Sequence, residues 1–133
     1  MTAFVVDPSA LVHALIDDSA KGEALRARLR AATCHAPHLI DAEVGNSLRG
    51  QVLRGELPVT VAEVGLRQLP NVIHHRYGHT GLLAELAWQL QGSISYYDAL
   101  YASLAGLLDV PLLTADARLS RAPGLLCRVE VVD

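Results

Sequence analysis

Short apolar runs with strand character alternate with longer helical patterns along this chain, and this alternation constrains its fold more than any other feature. Helical segments separate the successive strand-like runs, which favours a parallel sheet with helices on both faces. In such α/β folds, ligands bind at the carboxyl ends of the strands, near the point where the strand order reverses. The predicted strands span 2–6, 33–36, 71–75, 110–114 and 128–132, and the predicted helices span 8–17, 19–31, 37–49, 59–69, 80–90, 95–108 and 115–121.

Prolines define three of these predicted helix boundaries. Pro8 directly follows Asp7, and a proline at the first helical position behind an aspartate is a good signal for a helix start. Pro37 is expected to open the third helix in the same way. Pro70 is expected to end the fourth helix, because proline has no backbone N–H and disrupts the preceding turn.

The composition indicates one globular domain that spans residues 1–133. The chain has 133 residues, of which 51% are apolar, and this is enough to bury a core without disulfides. No run approaches the roughly 20 apolar residues of a membrane span, and the N-terminus lacks the basic start of a signal peptide. We therefore expect a cytoplasmic protein that does not associate with membranes. Cys34 and Cys127 lie in no ligand-spaced motif and are expected to be small buried side chains, although their spacing leaves a disulfide open.

The formal net charge of −3 argues against a broad basic face that binds nucleic acid regardless of sequence. It does not exclude a nucleic-acid substrate, because acids concentrated in one site leave the remaining surface closer to neutral. Almost all of the basic residues are arginines, which suit bidentate contacts with phosphate. The candidate phosphate contacts are Arg26, Arg28, Arg30, Arg49, Arg54, Arg118 and Arg121.

Four carboxylates stand where predicted strands run into helices, or just inside a helix. Carboxylates that converge on one site repel each other unless a cation lies among their oxygens. An all-oxygen site suits a hard divalent cation such as Mg²⁺ or Mn²⁺, so the pattern points to metal-assisted phosphoryl chemistry. The four acids are Asp7 in FVVDPSALV, Glu43 in PHLIDAEVGNSLR, Asp98 in SISYYDALYASLA and Asp116 in PLLTADARL.

Three of the four acids also have a purely structural interpretation as helix-start residues. Asp7 is suited to cap the first helix. The run from Ser95 to Asp98 fits a capping box, with aspartate in place of the usual glutamate. Thr114 is suited to cap the short helix that follows it, which would place Asp116 favourably in the first turn.

Glu43 resists the capping interpretation. If the third helix opens at Pro37, Glu43 lies about a turn and a half inside it, beyond useful capping range. An inward-facing carboxylate in this apolar neighbourhood needs a partner or a cation. Asp41 is the rival acid on the same helix and is the better candidate for an exposed position.

Three segments of the chain resemble PIN-domain ribonucleases, and specifically the VapC-type toxins of bacterial toxin–antitoxin pairs. The segments are VVDPSAL, PHLIDAEVGNSLR and YYDALYASLAGLLDVPLLTADARL. The last segment is the most specific, because it joins YDALYASLA to LLTAD at the spacing usual in the family. The resemblance covers nearly the whole chain and implies a three-layer α/β/α sandwich with a mostly parallel sheet of about five strands.

The resemblance also implies an activity, a cofactor and partners. It implies an endoribonuclease that needs Mg²⁺ or Mn²⁺, hydrolyses RNA with a metal-activated water and leaves a 5′-phosphate. It further implies a homodimer and a small antitoxin protein that blocks the site. All four acids are retained, which disfavours a non-catalytic member, although it stays open whether Asp116 touches the ion directly. The implied metal ligands are Asp7, Glu43, Asp98 and Asp116, and Ser9 or Thr114 is implied to assist through its hydroxyl.

Other functions are weighed against the nuclease. A receiver-like module would need a lysine near the end of the last strand, and Lys21 lies nowhere near such a position. A haloacid-dehalogenase-like phosphatase would carry Asp-x-Asp after its first strand, where this chain has Asp-Pro-Ser. A binding module whose acids no longer hold metal stays open as the alternative.

Two further features have a structural interpretation. The histidines of IHHRYGH, His74, His75 and His79, have a poor spacing for a transition-metal site and are expected on the surface of a connecting segment. Arg76 and Tyr77 in the same segment are possible RNA contacts. Trp88 falls on the apolar face of its predicted helix and is expected to pack in the core or at an interface.

Overall fold

A computed structural model describes residues 2–132 of the chain. These residues form five β-strands, six α-helices and one 3₁₀ helix. The strands are β1 Ala3–Val6, β2 Thr33–Pro37, β3 His75–Tyr77, β4 Leu112–Thr114 and β5 Val129–Val131. The α-helices are α1 Pro8–Ile16, α2 Ala20–Arg30, α3 Ile40–Leu53, α4 Val59–Val72, α5 Leu82–Trp88 and α6 Tyr96–Leu108, and the 3₁₀ helix is Ala117–Arg121.

The five strands form one parallel sheet in the order β3-β2-β1-β4-β5. In the register of this sheet, Phe4 of β1 lies opposite Cys34 of β2, and Val6 of β1 lies opposite Leu113 of β4. The chain builds the sheet outward from β1 in one direction as far as β3, and then returns to add β4 and β5 on the other side. The strand order therefore reverses between β1 and β4, where α/β folds commonly place a binding crevice.

Helices cover both faces of the sheet. Helices α1 to α4 pack against one another on one face, where the Cys34 thiol donates to the Leu29 carbonyl of α2 over 3.6 Å. On that face the Arg28 guanidinium also lies 5.2 Å from the centre of the Phe4 ring. Helices α5 and α6 pack together, and α6 contacts β1, β2 and β4. The three-layer α/β/α arrangement with a parallel sheet is thereby confirmed.

The core lies in two layers between the sheet and the helices. Alternate residues of a strand point to opposite faces of the sheet, so β1 and β4, in the middle, are buried on both sides. Each fully buried Val, Leu or Ile stabilises the fold by about 1.5–3 kcal/mol relative to an exposed one. Alanines on α1 and α6 let these helices lie close to the strands. The largest fully buried apolar side chains are Tyr101, Leu11, Ile40, Ile73, Leu100, Leu112, Leu113, Val5, Val6 and Val44.

Two boundaries predicted from prolines are wrong. Pro37 ends β2 opposite Tyr77 of β3, and α3 begins only at Ile40. Pro70 lies inside α4, which continues to Val72 before β3 begins at His75. A proline within a helix removes one hydrogen bond and crowds the preceding turn. Pro70 lies only two residues from the end of α4, where the buried side chain of Leu69 keeps the helix on the core.

Trp88 does not pack in the core, since 59% of it is exposed at the end of α5. This part of its prediction is wrong, and a role at an interface stays a prediction. Of the cysteines, Cys34 is buried and Cys127 is half-buried, and both are free thiols. His75 is exposed as expected and is the first residue of β3. The rest of the strand predicted over 71–75 is wrong, because α4 continues to Val72 and β3 begins only at His75. Among residues 2–132, no helix is both long and apolar enough to cross a bilayer.

Gly22 allows α2 to lie directly against the end of α1. A β-carbon at this position would overlap the backbone carbonyl of Asp17, which cannot move away without shifting the end of α1. We expect Gly22→Ala to lower the free energy of unfolding by about 1–3 kcal/mol in urea titrations, because a steric overlap with backbone must be relieved. Gly45→Ala is the matched control.

Gly45 is also a helical glycine, but its added β-carbon would meet only the Leu66 side chain at an ordinary 3.9 Å. Because alanine has the higher helix propensity, the control should be neutral or stabilising by up to about 1 kcal/mol. Equal destabilisation of the two variants would contradict this account of the α1–α2 contact.

Candidate active site

All four acids singled out in the sequence lie at helix starts. Asp7 is the N-cap of α1, and Asp116 is the N-cap of the 3₁₀ helix. Glu43 and Asp98 lie in the first turns of α3 and α6. Helices that connect parallel strands begin at the carboxyl edge of the sheet, so the fold places these four starts along one edge. Helix N-termini carry partial positive charge and unpaired N–H groups, which favour carboxylates.

Asp7 is the most buried of the four, with 3% of the residue exposed. Its Oδ1 accepts hydrogen bonds from the Ser9 hydroxyl at 2.7 Å and from the Ala10 amide at 3.0 Å. Burial raises the pKa of Asp7 above its ordinary value, and the charge of Asp98 adds to this effect. Hydrogen bonds from Thr114, Ala10 and Ser9 act in the opposite direction. The prediction that Asp7 caps α1 is therefore confirmed. The same carboxylate also interacts with the charge of Asp98.

Two hydroxyls join the ends of β1 and β4 next to Asp7. The Ser9 and Thr114 hydroxyl oxygens lie 3.2 Å apart, and the Ser9 oxygen accepts from the Ala115 amide at 2.9 Å. The Thr114 oxygen accepts from the Asp116 amide at 3.0 Å. Thr114 itself is fully buried. These bonds fix the segment that carries Asp116 to the segment that carries Asp7. The prediction that Thr114 caps the short helix is wrong, because Asp116 is the N-cap.

Glu43 lies in the first turn of α3, and not a turn and a half inside it, because the helix begins at Ile40. Its carboxylate is bound by a residue that the sequence did not single out: the Tyr101 hydroxyl of α6 donates to Glu43 Oε1 over 2.7 Å. Burial is the main cause that raises the pKa of Glu43, and the charges of Asp98 and Asp7 raise it further. The Tyr101 bond acts against this rise. Burial also raises the pKa of Tyr101, so the phenol keeps its proton and is the donor.

Asp98 interacts electrostatically with each of the other three acids. Burial raises its pKa most, the Ser95 hydroxyl lowers it, and the charge of Asp116 raises it again. The Asp98 amide donates to the Ser95 hydroxyl at 3.1 Å, which is half of the predicted capping box. Asp98 is thus in electrostatic reach of Asp7, Glu43 and Asp116.

Asp116 differs from the other three acids because an arginine neutralises it. Arg118 donates from Nε to Asp116 Oδ1 at 3.1 Å and from Nη2 to Oδ2 at 2.8 Å. This bidentate pair is the main reason why the pKa of Asp116 lies below its ordinary value. The structure therefore unites Asp7, Glu43 and Asp98 as one repelling group, with Asp116 beside Asp98 and paired to its own arginine.

The carboxylate group has the chemistry of a site for a hard cation. It supplies only oxygen donors, and burial together with mutual repulsion destabilises the charged form of three of them. A divalent cation relieves both effects. Within residues 2–132, no three His, Cys, Asp or Glu side chains stand ready as a ligand set. Joint ligation of one ion therefore requires some of these side chains to rotate towards one another. The residues fit such an ion.

A cavity of about 340 Å³ opens beside these acids. Asp98, Asp116 and Arg118 line it together with the loop that precedes α6. A larger groove of about 570 Å³ runs between α5, α6 and the segment 123–126, but it is mainly apolar and holds none of the four acids. The smaller cavity is therefore the better candidate for the reacting part of a substrate, because two of the four acids and an arginine line it.

Several of the candidate phosphate contacts are engaged within the protein. Arg28 pairs with Glu130, and Arg54 pairs with Glu56. Arg26 donates to the Ala14 and Asp17 carbonyls at the end of α1. Arg76 makes a bidentate pair with Asp41, the rival acid on α3, which is half-exposed. Arg118 is the candidate that lies at the carboxylates, and phosphate contacts by the others stay predictions.

Tyr101 is the site residue that the sequence interpretation missed. A signal for it exists, because Tyr101 follows Asp98 by three residues, and residues at that spacing share a helix face. Its aromatic ring resembles ordinary core filling, and only the fold reveals that its hydroxyl meets an acid 58 positions away.

Comparisons with known proteins agree with this geometry. The PIN domain family matches residues 4–125. The chain is 47% identical over 132 residues to Ribonuclease VapC1 of Mycobacterium tuberculosis, covering 99% of both chains. It is 41% identical over 118 residues to Ribonuclease VapC3 of the same species, covering 89% of this chain and 85% of that relative.

A solved structure shares the fold at low sequence identity. The crystal structure of VapBC2 from Rickettsia felis, bound to a DNA fragment from their promoter, superposes with a TM-score of 0.69 at 16% identity. The match covers 99% of this chain and 100% of that chain. The family match extends over most of the chain, and the VapC relatives align almost from end to end. The chain belongs to the PIN-domain family.

Proposed function

We propose that this chain is an endoribonuclease that depends on a divalent metal and acts as the toxin of a toxin–antitoxin pair. The observation that carries the proposal is the placement of Asp7, Glu43, Asp98 and Asp116 at four helix starts along one edge of the parallel sheet. Burial and the neighbouring charges raise the pKa of three of them, as expected for carboxylates that a cation would stabilise. Two relatives named as VapC ribonucleases, 47% and 41% identical, support the choice of RNA as substrate. We further propose that residues 1–133 form a single domain and that the protein acts in the cytoplasm.

The catalytic acids of this proposal are Asp7, Glu43, Asp98 and Asp116. Asp7, Glu43 and Asp98 would hold Mg²⁺ or Mn²⁺, which when bound supplies positive charge for the phosphate and acidifies a water for attack. Ser9 and Thr114 keep the Asp7 carboxylate in place through their hydroxyls, and the helix N-termini favour the ionised state of all four acids.

Asp116 and Arg118 act as a pair in this proposal. Arg118 holds both oxygens of Asp116 at the rim of the cavity, where its side chain is 83% exposed. An exposed ion pair contributes little stability, so Arg118 can exchange Asp116 for a substrate phosphate at small cost. Such an exchange would direct an Asp116 oxygen towards Asp98 as RNA binds. This gives Asp116 a direct role only in the complex with substrate.

We propose a small antitoxin protein and a second copy of the chain as partners. The apolar surface that supports this lies on α4 and on the end of α3, where several large side chains remain exposed next to a shallow apolar groove. These side chains are Leu53, Val59, Val64 and Leu66, exposed by 68%, 54%, 50% and 49%. A contiguous apolar surface of this kind is typical of protein interfaces.

The nuclease is tested by incubating purified, antitoxin-free protein with a broad set of structured RNAs, in Mg²⁺ or Mn²⁺ and in EDTA. We expect cleavage with either metal, no cleavage in EDTA, and 5′-phosphate ends on the products. Asp98→Asn should lower the cleavage rate at least about 100-fold, because it removes a charge that holds the ion. Gly45→Ala serves as a control that leaves all four acids in place.

Each other outcome has a definite meaning. Cleavage that survives Asp98→Asn would show that the active site lies elsewhere. Absence of both metal binding and cleavage would favour the binding module whose acids no longer hold metal. Metal binding without cleavage of any RNA in the set, even at high enzyme concentration, would point to a very narrow target or to a protein that is not a nuclease.

The same variant tests the electrostatics without metal. The pKa of Asp98 is raised in the folded protein, mainly by burial, so the folded state holds this proton more tightly than the unfolded chain does. The ionised form of Asp98 therefore lowers the free energy of unfolding at neutral pH. This destabilisation decreases as the pH falls below the raised pKa of the folded state, and it is gone below the ordinary pKa of the unfolded chain. In EDTA, Asp98→Asn should be more stable than the wild type at pH 7, and the difference should shrink towards pH 4.

Urea titrations of both proteins between pH 7 and pH 4 measure this difference directly. Comparison of the two proteins cancels the titration of shared groups that the Asp98 charge does not influence. The pKa values of Asp7 and Glu43 are raised by that charge, so its removal stabilises the variant at pH 7 through them as well. A variant that is less stable than the wild type throughout, with loss of helical circular dichroism, would mean that the first turn of α6 depends on the Asp98 charge.

A further inference from the structure

Tyr101 combines a buried ring with a polar group that reaches the site. The residue is 1% exposed in the middle of α6, and its hydroxyl donates to Glu43 Oε1 over 2.7 Å. A buried hydroxyl needs a hydrogen-bond partner, or its burial is costly. Glu43 is that partner, and the bond joins two helices that lie on opposite faces of the sheet.

The position of Tyr101 on α6 directs it at the carboxylate group. Tyr101 follows Asp98 by three residues, so the two share one face of the helix. The same helix face therefore presents one acid directly and holds a second acid through a hydroxyl. The ring is enclosed by the core and cannot move away from Glu43 without disturbing packed neighbours.

The hydrogen bond restrains a side chain that is otherwise flexible. Glutamate has three rotatable side-chain bonds, and it loses much conformational freedom when it is fixed as a ligand. Tyr101 occupies Oε1, and this selects one orientation of the carboxylate. Loss of a group that orients a metal ligand in this way typically lowers metal affinity or activity by about 10–100-fold.

We propose that Tyr101 is a positioning residue that holds the Glu43 carboxylate in the orientation required to bind the divalent cation. This inference rests on the proposed function, because it assigns Tyr101 a task within the same site. If Tyr101 only filled the core, its hydroxyl would be dispensable for metal binding. Tyr101→Phe separates the two roles, since it keeps the ring and removes only the hydroxyl.

The experiment is a calorimetric titration of Mn²⁺ into purified full-length protein without RNA, so that the readout is independent of cleavage. We expect Tyr101→Phe to weaken Mn²⁺ binding at least about tenfold, in line with other groups that orient metal ligands. Tyr77→Phe is the matched control, because it removes a hydroxyl whose hydrogen-bond partner, at 2.8 Å, is His35 Nδ1 and not one of the four acids. This control should bind Mn²⁺ within about twofold of the wild type.

A double variant shows whether Tyr101 acts through Glu43. If it does, adding Tyr101→Phe to Glu43→Ala should weaken Mn²⁺ binding by less than about twofold beyond Glu43→Ala alone. A general loosening of the core would instead add its full effect in both backgrounds. Thermal unfolding of each variant in EDTA confirms that the compared proteins are folded.

The outcomes distinguish this inference from the proposed function. Wild-type binding of Mn²⁺ that Tyr101→Phe leaves within about twofold would overturn the positioning role and leave the nuclease intact. Additive losses in the double variant would overturn it as well. No Mn²⁺ binding by the wild type would overturn the proposed metal site and the positioning role together.

Discussion

The parallel order of the strands is the constraint from which the site follows. When all strands run in one direction, every helix that returns the chain begins at the same edge of the sheet. In this protein that edge receives the N-termini of α1, α3, α6 and the 3₁₀ helix, and each of them carries one of the four candidate acids. The strand order reverses between β1 and β4, and Asp7 directly follows β1 at this point.

The acids are helix-start residues and a repelling cluster at the same time. Asp7 caps α1 through Oδ1, while its charge acts on Asp98 and Glu43. An N-cap contributes about 0.5–2 kcal/mol to stability, which offsets part of the cost of gathering the acids. The capping interpretation and the metal interpretation are therefore not rivals. Helix N-termini offer places where buried carboxylates are tolerated until a cation completes the site.

The sequence predicted the architecture well and the helix boundaries less well. The alternation of patterns predicted β1, β2, β4 and β5, because buried parallel strands read as short apolar runs. The third strand was predicted too early, at 71–75, and shares only His75 with β3, whose residues His75–Tyr77 form no apolar run. The helix boundaries predicted at Pro37 and Pro70 were wrong, because tertiary packing decides whether a proline ends a strand or lies within a helix. The shift of α3 matters for function, because it moves Glu43 into the first turn, where it meets Tyr101.

The candidate acids were predictable from the sequence, whereas the contacts that hold them were not. Carboxylates at strand–helix junctions stand out against apolar runs. The pairing of Arg118 with Asp116, and that of Tyr101 with Glu43, depends on side-chain directions that spacing does not encode. Arginines are common on protein surfaces and tyrosines are common in cores, so neither residue type by itself indicates a functional site. Only their distances to the acids reveal what they do.

Anomalous diffraction from crystals grown with Mn²⁺ tests the central claim most directly. The account predicts an anomalous peak between the carboxylates of Asp7, Glu43 and Asp98, at the short distances typical of oxygen ligands, about 2.0–2.6 Å. It also predicts that the Tyr101 hydroxyl remains on Glu43 when the ion is bound. A peak at the histidines of β2 and β3, with no ion among the acids at saturating Mn²⁺, would contradict it.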